Sequence, residues 1–233
     1  MHKRFIISFL CVVLIIFLTT FCFYNTSVID KFTSANIKNA QQIIIIDAGH
    51  GGFDGGAVAS DGTIEKDLNL SISLKLDQIL RLLGFDTIMV RTTDTAVNNE
   101  NDDLSAKVSD IKYRAGLMQE YPKSIYISIH MNKYSTTQPH GAQVFYANTL
   151  GSDKLAAAIQ QSIADNVQSD NKRVIKPTNK NIYILSHATV PAVITECGFL
   201  SNPNDLSNLK NSDYQLKLAM AVSFGILNYN SVK

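Results

Sequence analysis

This 233-residue chain has almost no net charge: 21 Lys and Arg balance 20 Asp and Glu to leave +1 at pH 7. With no basic stripe and no run of like charges, there is no electrostatic case for nucleic acid as a partner. Cysteine is equally scarce. Cys11 and Cys22 fall in the first 24 residues, so Cys197 stands alone in the body and no intramolecular disulfide can form there. Gly and Pro are few (12 and 5) against a hydrophobic fraction of 45%, which excludes a disordered or low-complexity chain. No internal repeat is present. The length suits one domain with a sizeable core, and two compact domains would be cramped.

The first 24 residues are of another kind. His2, Lys3 and Arg4 give a basic start, and Phe5 to Phe23 carries no charge. About 18–20 apolar residues can span a bilayer, whereas a secretory core is nearer 7–15. Residues 1–24 therefore read as a signal peptide or a membrane anchor, with no clear small-residue cleavage site. The basic flank stays in the cytoplasm, which puts the rest outside, secreted or anchored. Phe21 precedes Cys22 where a lipoprotein signal needs a small residue, so lipidation is not expected. Residues 25–40 are polar and unpatterned and read as a tether, leaving 41–233 as the globular body.

That body opens on four isoleucines, Ile43 to Ile46, which suit a strand buried on both faces. A helical stripe follows through Leu68, Ile72, Leu76, Ile79 and Leu83, closed by Gly84. Strands are predicted at Phe85–Val90, Ile125–Ile129, Ala142–Tyr146 and Ala192–Thr195. Further helices follow Leu104, Val108, Ile111, Ala115 and Met118, then Leu155, Ile159, Ile163 and Val167. Asn202-Pro203 reads as a cap and first turn. Ser212 to Gln215 reads as a capping box before a last helix with Leu216, Met220 and Leu227 inward. Thr92 to Asp103 is polar and reads as a surface loop. Alternating strands and helices predict an α/β fold, a central, mostly parallel (mixed) sheet with helices on both faces.

In open α/β sheets, sites form beyond the carboxyl ends of strands. There the chain places His50 after the first strand, His130 and Asn132 after the third, and Glu196 after the strand at 192–195. Glu65, at the start of the first helix, is brought near by the Gly-rich stretch 49–56. His50, Glu65 and His130 make a His₂Glu set, which suits catalytic zinc with a fourth position for water. Glu196 is then the spare carboxylate that can take a proton. Each has a plainer reading. A strand-end His can simply bond backbone, Glu65 can answer the helix dipole, and Glu196 can pair with a cation. The spacing is not specific, and no H-E-x-x-H signature is present.

Longer runs carry more. IIIIDAGHGGFDGGA (43–57), GTIEKDLNL (62–70), MVRTTD (89–94), SIHMN (128–132) and PAVITECGFLSNPND (191–205) follow one another through most of the body. Together they resemble the zinc-dependent N-acetylmuramoyl-L-alanine amidases, and the single-domain form looks most like the germination-specific amidases of the spore cortex. The resemblance implies an α/β sandwich, zinc held by His50, Glu65 and His130, and Glu196 as the catalytic carboxylate. The implied substrate is peptidoglycan, in spore cortex or cell-wall remodelling. Some relatives block the zinc with an extra helix between the second His and the Glu. Here the interval from His130 to Glu196 has room for one strand, one helix and little more, so no built-in lid is expected. No wall-binding repeats flank the domain, which makes a targeting or activating partner protein conceivable.

Other residues have competing readings. Asn132 can orient substrate or end a strand, and His187 can line the groove or sit on a surface loop. His140 reads as structural, and Arg91 with Asp94 as a structural pair. Lys172, Arg173, Lys176 and Lys180 form a mild basic cluster, read first as a solvated loop. Cys197 should face the core beside Glu196. Three rivals remain at this level: a zinc peptidase cutting within the stem peptide, a non-catalytic wall-binding protein, and a glycosidase using Glu65 and Glu196 as its carboxylate pair. The last would leave two histidines idle.

Overall fold

A computed structural model describes residues 42–97, 105–179 and 181–231. The export segment 1–24, the tether 25–40, Leu104 and Lys180 lie outside the described residues. Among the described residues no helix is long and apolar enough to cross a membrane.

The elements follow in the order β1 (Ile43–Ala48), α1 (Glu65–Leu82), β2 (Asp86–Met89), α2 (Ala106–Glu120), β3 (Ile125–Asn132), β4 (Gln143–Tyr146), α3 (Ser152–Asn166), β5 (Lys176–Pro177), α4 (Tyr183–Ser186), β6 (Ala192–Phe199), α5 (Pro203–Lys210) and α6 (Ser212–Ser231). They build one six-stranded sheet in the order β2-β1-β3-β6-β4-β5. The four strands from β2 to β6 run parallel, and β4 joins β6 antiparallel. The expected mixed, mostly parallel sheet is therefore present.

Alternation along the strands divides the core. Ile44, Ile46, Ile125, Ile127, Ile129, Val193 and Cys197 face α1, α3 and α6. Ile45, Tyr126, Ala192 and Ile194 face α2 and α4. A side chain buried on each face explains the unbroken isoleucine run of β1. The end of α1 is closed as expected: Gly84, at φ 84°, donates to Arg81 O, and Phe85 donates to Leu80 O. That is a Schellman closure, with Phe85 and Leu80 in the same core. Asn202 caps α5 by accepting from the backbone N–H groups of Asn204 and Asp205.

Three expectations need correction. The cap of α6 is Asn211, whose Oδ1 accepts from the N–H groups of Asp213 and Tyr214. Gln215 is instead buried, donating to Leu209 O and accepting from Ser71 and Lys75. Leu216 and Met220 face outward, and Leu227 is only partly buried, while Leu218, Ala219, Val222 and Ile226 are fully buried. The phase is set at Gly225, where a Cβ would lie 2.6 Å from Ile159 Cα, so α6 meets α3 backbone to backbone there. In α2, Val108 is exposed and Arg114 takes an inward position. The interval from His130 to Glu196 holds β4 and α3 and, beyond these, only the two-residue β5 and the single-turn α4, in line with the one strand, one helix and little more expected there.

Candidate metal centre

Parallel pairing brings the carboxyl ends of β1, β3 and β6 to one edge. His130 on β3 lies directly across from Glu196 on β6, and both share the face of Tyr126 and Ile194. The β3–β6 register shifts just beyond His130, between His130 and Asn132. Asn132 then pairs with Phe199, and its carbonyl accepts from Leu200 N–H. Beyond β1 the chain turns sharply. His50 has φ 62°, the left-handed conformation that non-glycine residues rarely adopt and that clusters at functional sites.

The turn delivers His50 to Glu65 in the first turn of α1. Glu65 Oε1 lies 3.3 Å from His50 Nε2 and 3.0 Å from His130 Nδ1. One ligand atom from each of the three falls within 4.8 Å of the others. A tetrahedral ion with bonds of about 2.0–2.1 Å holds its donors about 3.3 Å apart, so this donor set fits zinc in both chemistry and spacing. Two glycines leave the room. A Cβ on Gly49 would lie 2.2 Å from His130 Nε2, and one on Gly56 would lie 2.6 Å from Glu65 Oε2 and from the His50 ring.

Surrounding groups orient the donors. Asp54 Oδ2 lies 3.0 Å from His50 Nδ1, which leaves Nε2 turned inward. Glu65 also accepts from the N–H groups of Ala57 and Met131. Asn69 bridges the Gly49 carbonyl and Glu65. His50 and His130 keep side-chain exposures of 23% and 18% while Glu65 has 5%, so the cluster opens to solvent from one side.

Burial works against a charge on His50, but the hydrogen bond and charge of Glu65, then Asp54, push its imidazole up to about 9. Burial would raise Glu65, yet the two histidines hold it far below the usual carboxylate range. Glu196 differs. Burial pushes its carboxyl up to about 7, and its Oε2 is fully enclosed with no hydrogen-bond partner. Among the described residues no Lys or Arg pairs with Glu196. A carboxyl with one buried, unpartnered oxygen that titrates near neutrality, beside a three-donor cluster, has the properties of a general base.

A family model described as N-acetylmuramoyl-L-alanine amidase matches residues 44–228. The chain belongs to the N-acetylmuramoyl-L-alanine amidase family. It is 31% identical to the germination-specific N-acetylmuramoyl-L-alanine amidase of Bacillus subtilis over 95% of this chain and 92% of that protein. Among solved structures, the CwlD amidase of Clostridioides difficile, determined in complex with the GerS lipoprotein, superposes with a TM-score of 0.78 at 36% identity. That match covers 82% of this chain and 99% of that one. A second amidase, from Clostridium difficile 630, gives 0.72 at 31% identity over 84% of this chain and 99% of its own. The amidase reaction, hydrolysis of the amide between N-acetylmuramic acid and L-alanine in peptidoglycan, is therefore this chain's activity.

Several secondary expectations are resolved by geometry. Arg91 and Asp94 share no hydrogen bond: Arg91 donates to main-chain carbonyls, and Asp94 takes Lys66 and Gly52 N–H. Arg173 is no solvated cation, since it donates to His140 O and Gln143 and lies 4.5 Å over the Phe199 ring. His187 follows α4, before the start of β6, with its ring stacked on Tyr183 and its Nδ1 2.9 Å from Tyr183 O. Its contacts are thus to its own helix, and the cluster is not among them. Cys197 is buried in the core as expected.

The sequence reading overlooked Asp54, Asn69 and Arg114. One signal could have found Arg114: an Asp at position 47 in an isoleucine-rich strand needs a buried cation, and the helices offer few.

Proposed function

We propose that this amidase works with zinc held by His50, Glu65 and His130, and with Glu196 as its proton acceptor. The observation that carries the reading is Glu196, set directly across the β3–β6 register from His130 with its Oε2 buried and unpartnered among the described residues. Zinc bound there would supply a Lewis acid for the scissile carbonyl. Ionised Glu196 takes a proton from the attacking water and returns it to the L-alanine nitrogen as the C–N bond breaks. The acyl side leaves as the lactyl carboxylate of muramic acid. Asp54 fixes the tautomer of His50, and the backbone N–H groups of Ala57 and Met131 hold the Glu65 carboxylate in place.

The likeness to a germination-specific relative supports a role in spore-cortex remodelling. An extracytoplasmic location is supported by the same relative and by the apolar run near the amino terminus. The complex formed by the Clostridioides relative supports a partner protein for this chain too.

Residues 41–233 loaded with zinc and incubated with peptidoglycan should release stem peptides with a free L-alanine amine, identified by mass spectrometry. Glu196→Gln should retain zinc and lose most turnover, on the order of 10²-fold or more. Cuts within the stem would make the chain a peptidase, and equal turnover in the two proteins would remove Glu196 from the mechanism.

A further inference from the structure

Beneath the cluster lie two guanidinium groups, Arg91 and Arg114, each 3% exposed. Arg114, from α2, forms an ion pair with Asp47 and donates to Ala48 O (3.1 Å) and His50 O (2.8 Å). Arg91, beyond β2, donates to Ala48 O (2.8 Å), Gly49 O (3.1 Å), Lys66 O (2.8 Å) and Thr93 O (3.1 Å). Every carbonyl from Ala48 to His50 thus ends on a buried cation. Lys66 O ties in the first turn of α1, one residue from Glu65.

Burying two like charges side by side is costly. Asp47 and Asp110 offset Arg114, whereas the hydrogen bonds of Arg91 all end on main-chain carbonyls. Such a group is poorly accounted for by stability alone. What it holds is the segment in which His50 adopts the left-handed conformation, a state that persists only when its surroundings over-determine it. Released from its carbonyl partners, the peptide at His50 would relax toward φ below zero, and the imidazole would swing away from Glu65.

We infer that Arg91 and Arg114 are positioning residues for the metal centre: they clamp the 48–50 carbonyls and so hold His50, and through Lys66 O also Glu65, in zinc-binding geometry. Lysine keeps the charge but not the planar fork that reaches two carbonyls at once, so it is the informative replacement. The inference rests on the zinc reading, and the test separates the two.

Zinc affinity is measured by chelator competition for the wild-type protein, Arg91→Lys, Arg114→Lys and Ile226→Ala. The last removes a buried side chain on the opposite face, from α6. Thermal melts of the metal-free proteins give each one's stability. Cobalt-loaded samples report donor geometry through their visible bands. Both lysine variants should bind zinc about 10- to 100-fold more weakly and shift the cobalt bands. Ile226→Ala should keep wild-type affinity and bands despite a similar or larger loss of melting temperature. Lysine variants with wild-type affinity and spectrum, or affinity losses that follow melting temperature across all variants, would overturn the inference. A wild-type protein that fails to bind zinc would instead overturn the zinc reading. Should a lysine variant not fold, Asp110→Asn loosens Arg114 from its outer side, where Asp110 accepts at 2.6 Å. It should weaken zinc about threefold to tenfold, and unchanged affinity there would count against the clamp.

Discussion

At the residue scale, the centre depends on what is missing as much as on what is present. Gly56 sits at φ 69°, and a Cβ there would collide with Glu65 and His50 together. Gly62, at φ 87°, has nothing within 4 Å of its would-be Cβ. The two positions separate backbone strain from steric intrusion. Gly62→Ala should lose about 1 kcal/mol of stability and keep zinc and activity. Gly56→Ala carries the same strain and should also lose zinc, as read by metal content after gel filtration. Equal metal content in the two variants would mean that the cluster tolerates a methyl group, and the packing argument would fail. The grouping of His50, Glu65 and His130 was legible because metal chemistry uses few residue types and because strand ends in this architecture converge. Asp54 and Asn69 were not. An Asp four residues after a His, or an Asn on a helix, has no meaning until the chain folds back and directs it at a donor.

At the scale of elements, legibility followed the contrast between apolar and polar positions. β1 and α1 have sharp patterns and appear as expected. In α6 the sequence is apolar on nearly all sides, and periodicity could not fix its phase. The phase comes from the close approach of Gly225 to Ile159, which is tertiary information. Consequently Ile226 is fully buried whereas Met220 is 40% exposed. Ile226→Ala should cost about 2–5 kcal/mol by removing packed core volume, and Met220→Ala should stay within about 0.5 kcal/mol of wild type. Urea melts of the two variants check this. A larger cost for Met220→Ala would place α6 in the phase that the sequence pattern suggests. Arg114 was overlooked for a related reason. The apolar stripe of α2 was read as its inward face, and the demand of Asp47 for a cation arises across the sheet–helix interface.

At the scale of the whole molecule, the centre is a site that folding makes at a cost, and the cost has a pH signature. The Glu196 carboxyl titrates near 7 in the fold because burial disfavours its charge, against 4.5 for an ordinary glutamate. Between those values the metal-free folded chain keeps a proton that the unfolded chain has released. Stability from this group is therefore full below about pH 4.5, declines as pH rises, and levels off above 7. The difference across the window is on the order of 3 kcal/mol. Asp47, Asp54 and Glu65 are held low and act with the opposite sign at more acidic pH. They are shared by wild type and Glu196→Gln, so comparing the two proteins isolates Glu196. In chelator, the variant should gain melting temperature over wild type at pH 8 and lose most of that advantage by pH 4.5. Melting curves that stay parallel from pH 4.5 to 8 would mean that Glu196 is solvated or paired in solution. The same result would leave it without the raised proton affinity that suits a base, so stability and catalysis would be tested in one titration.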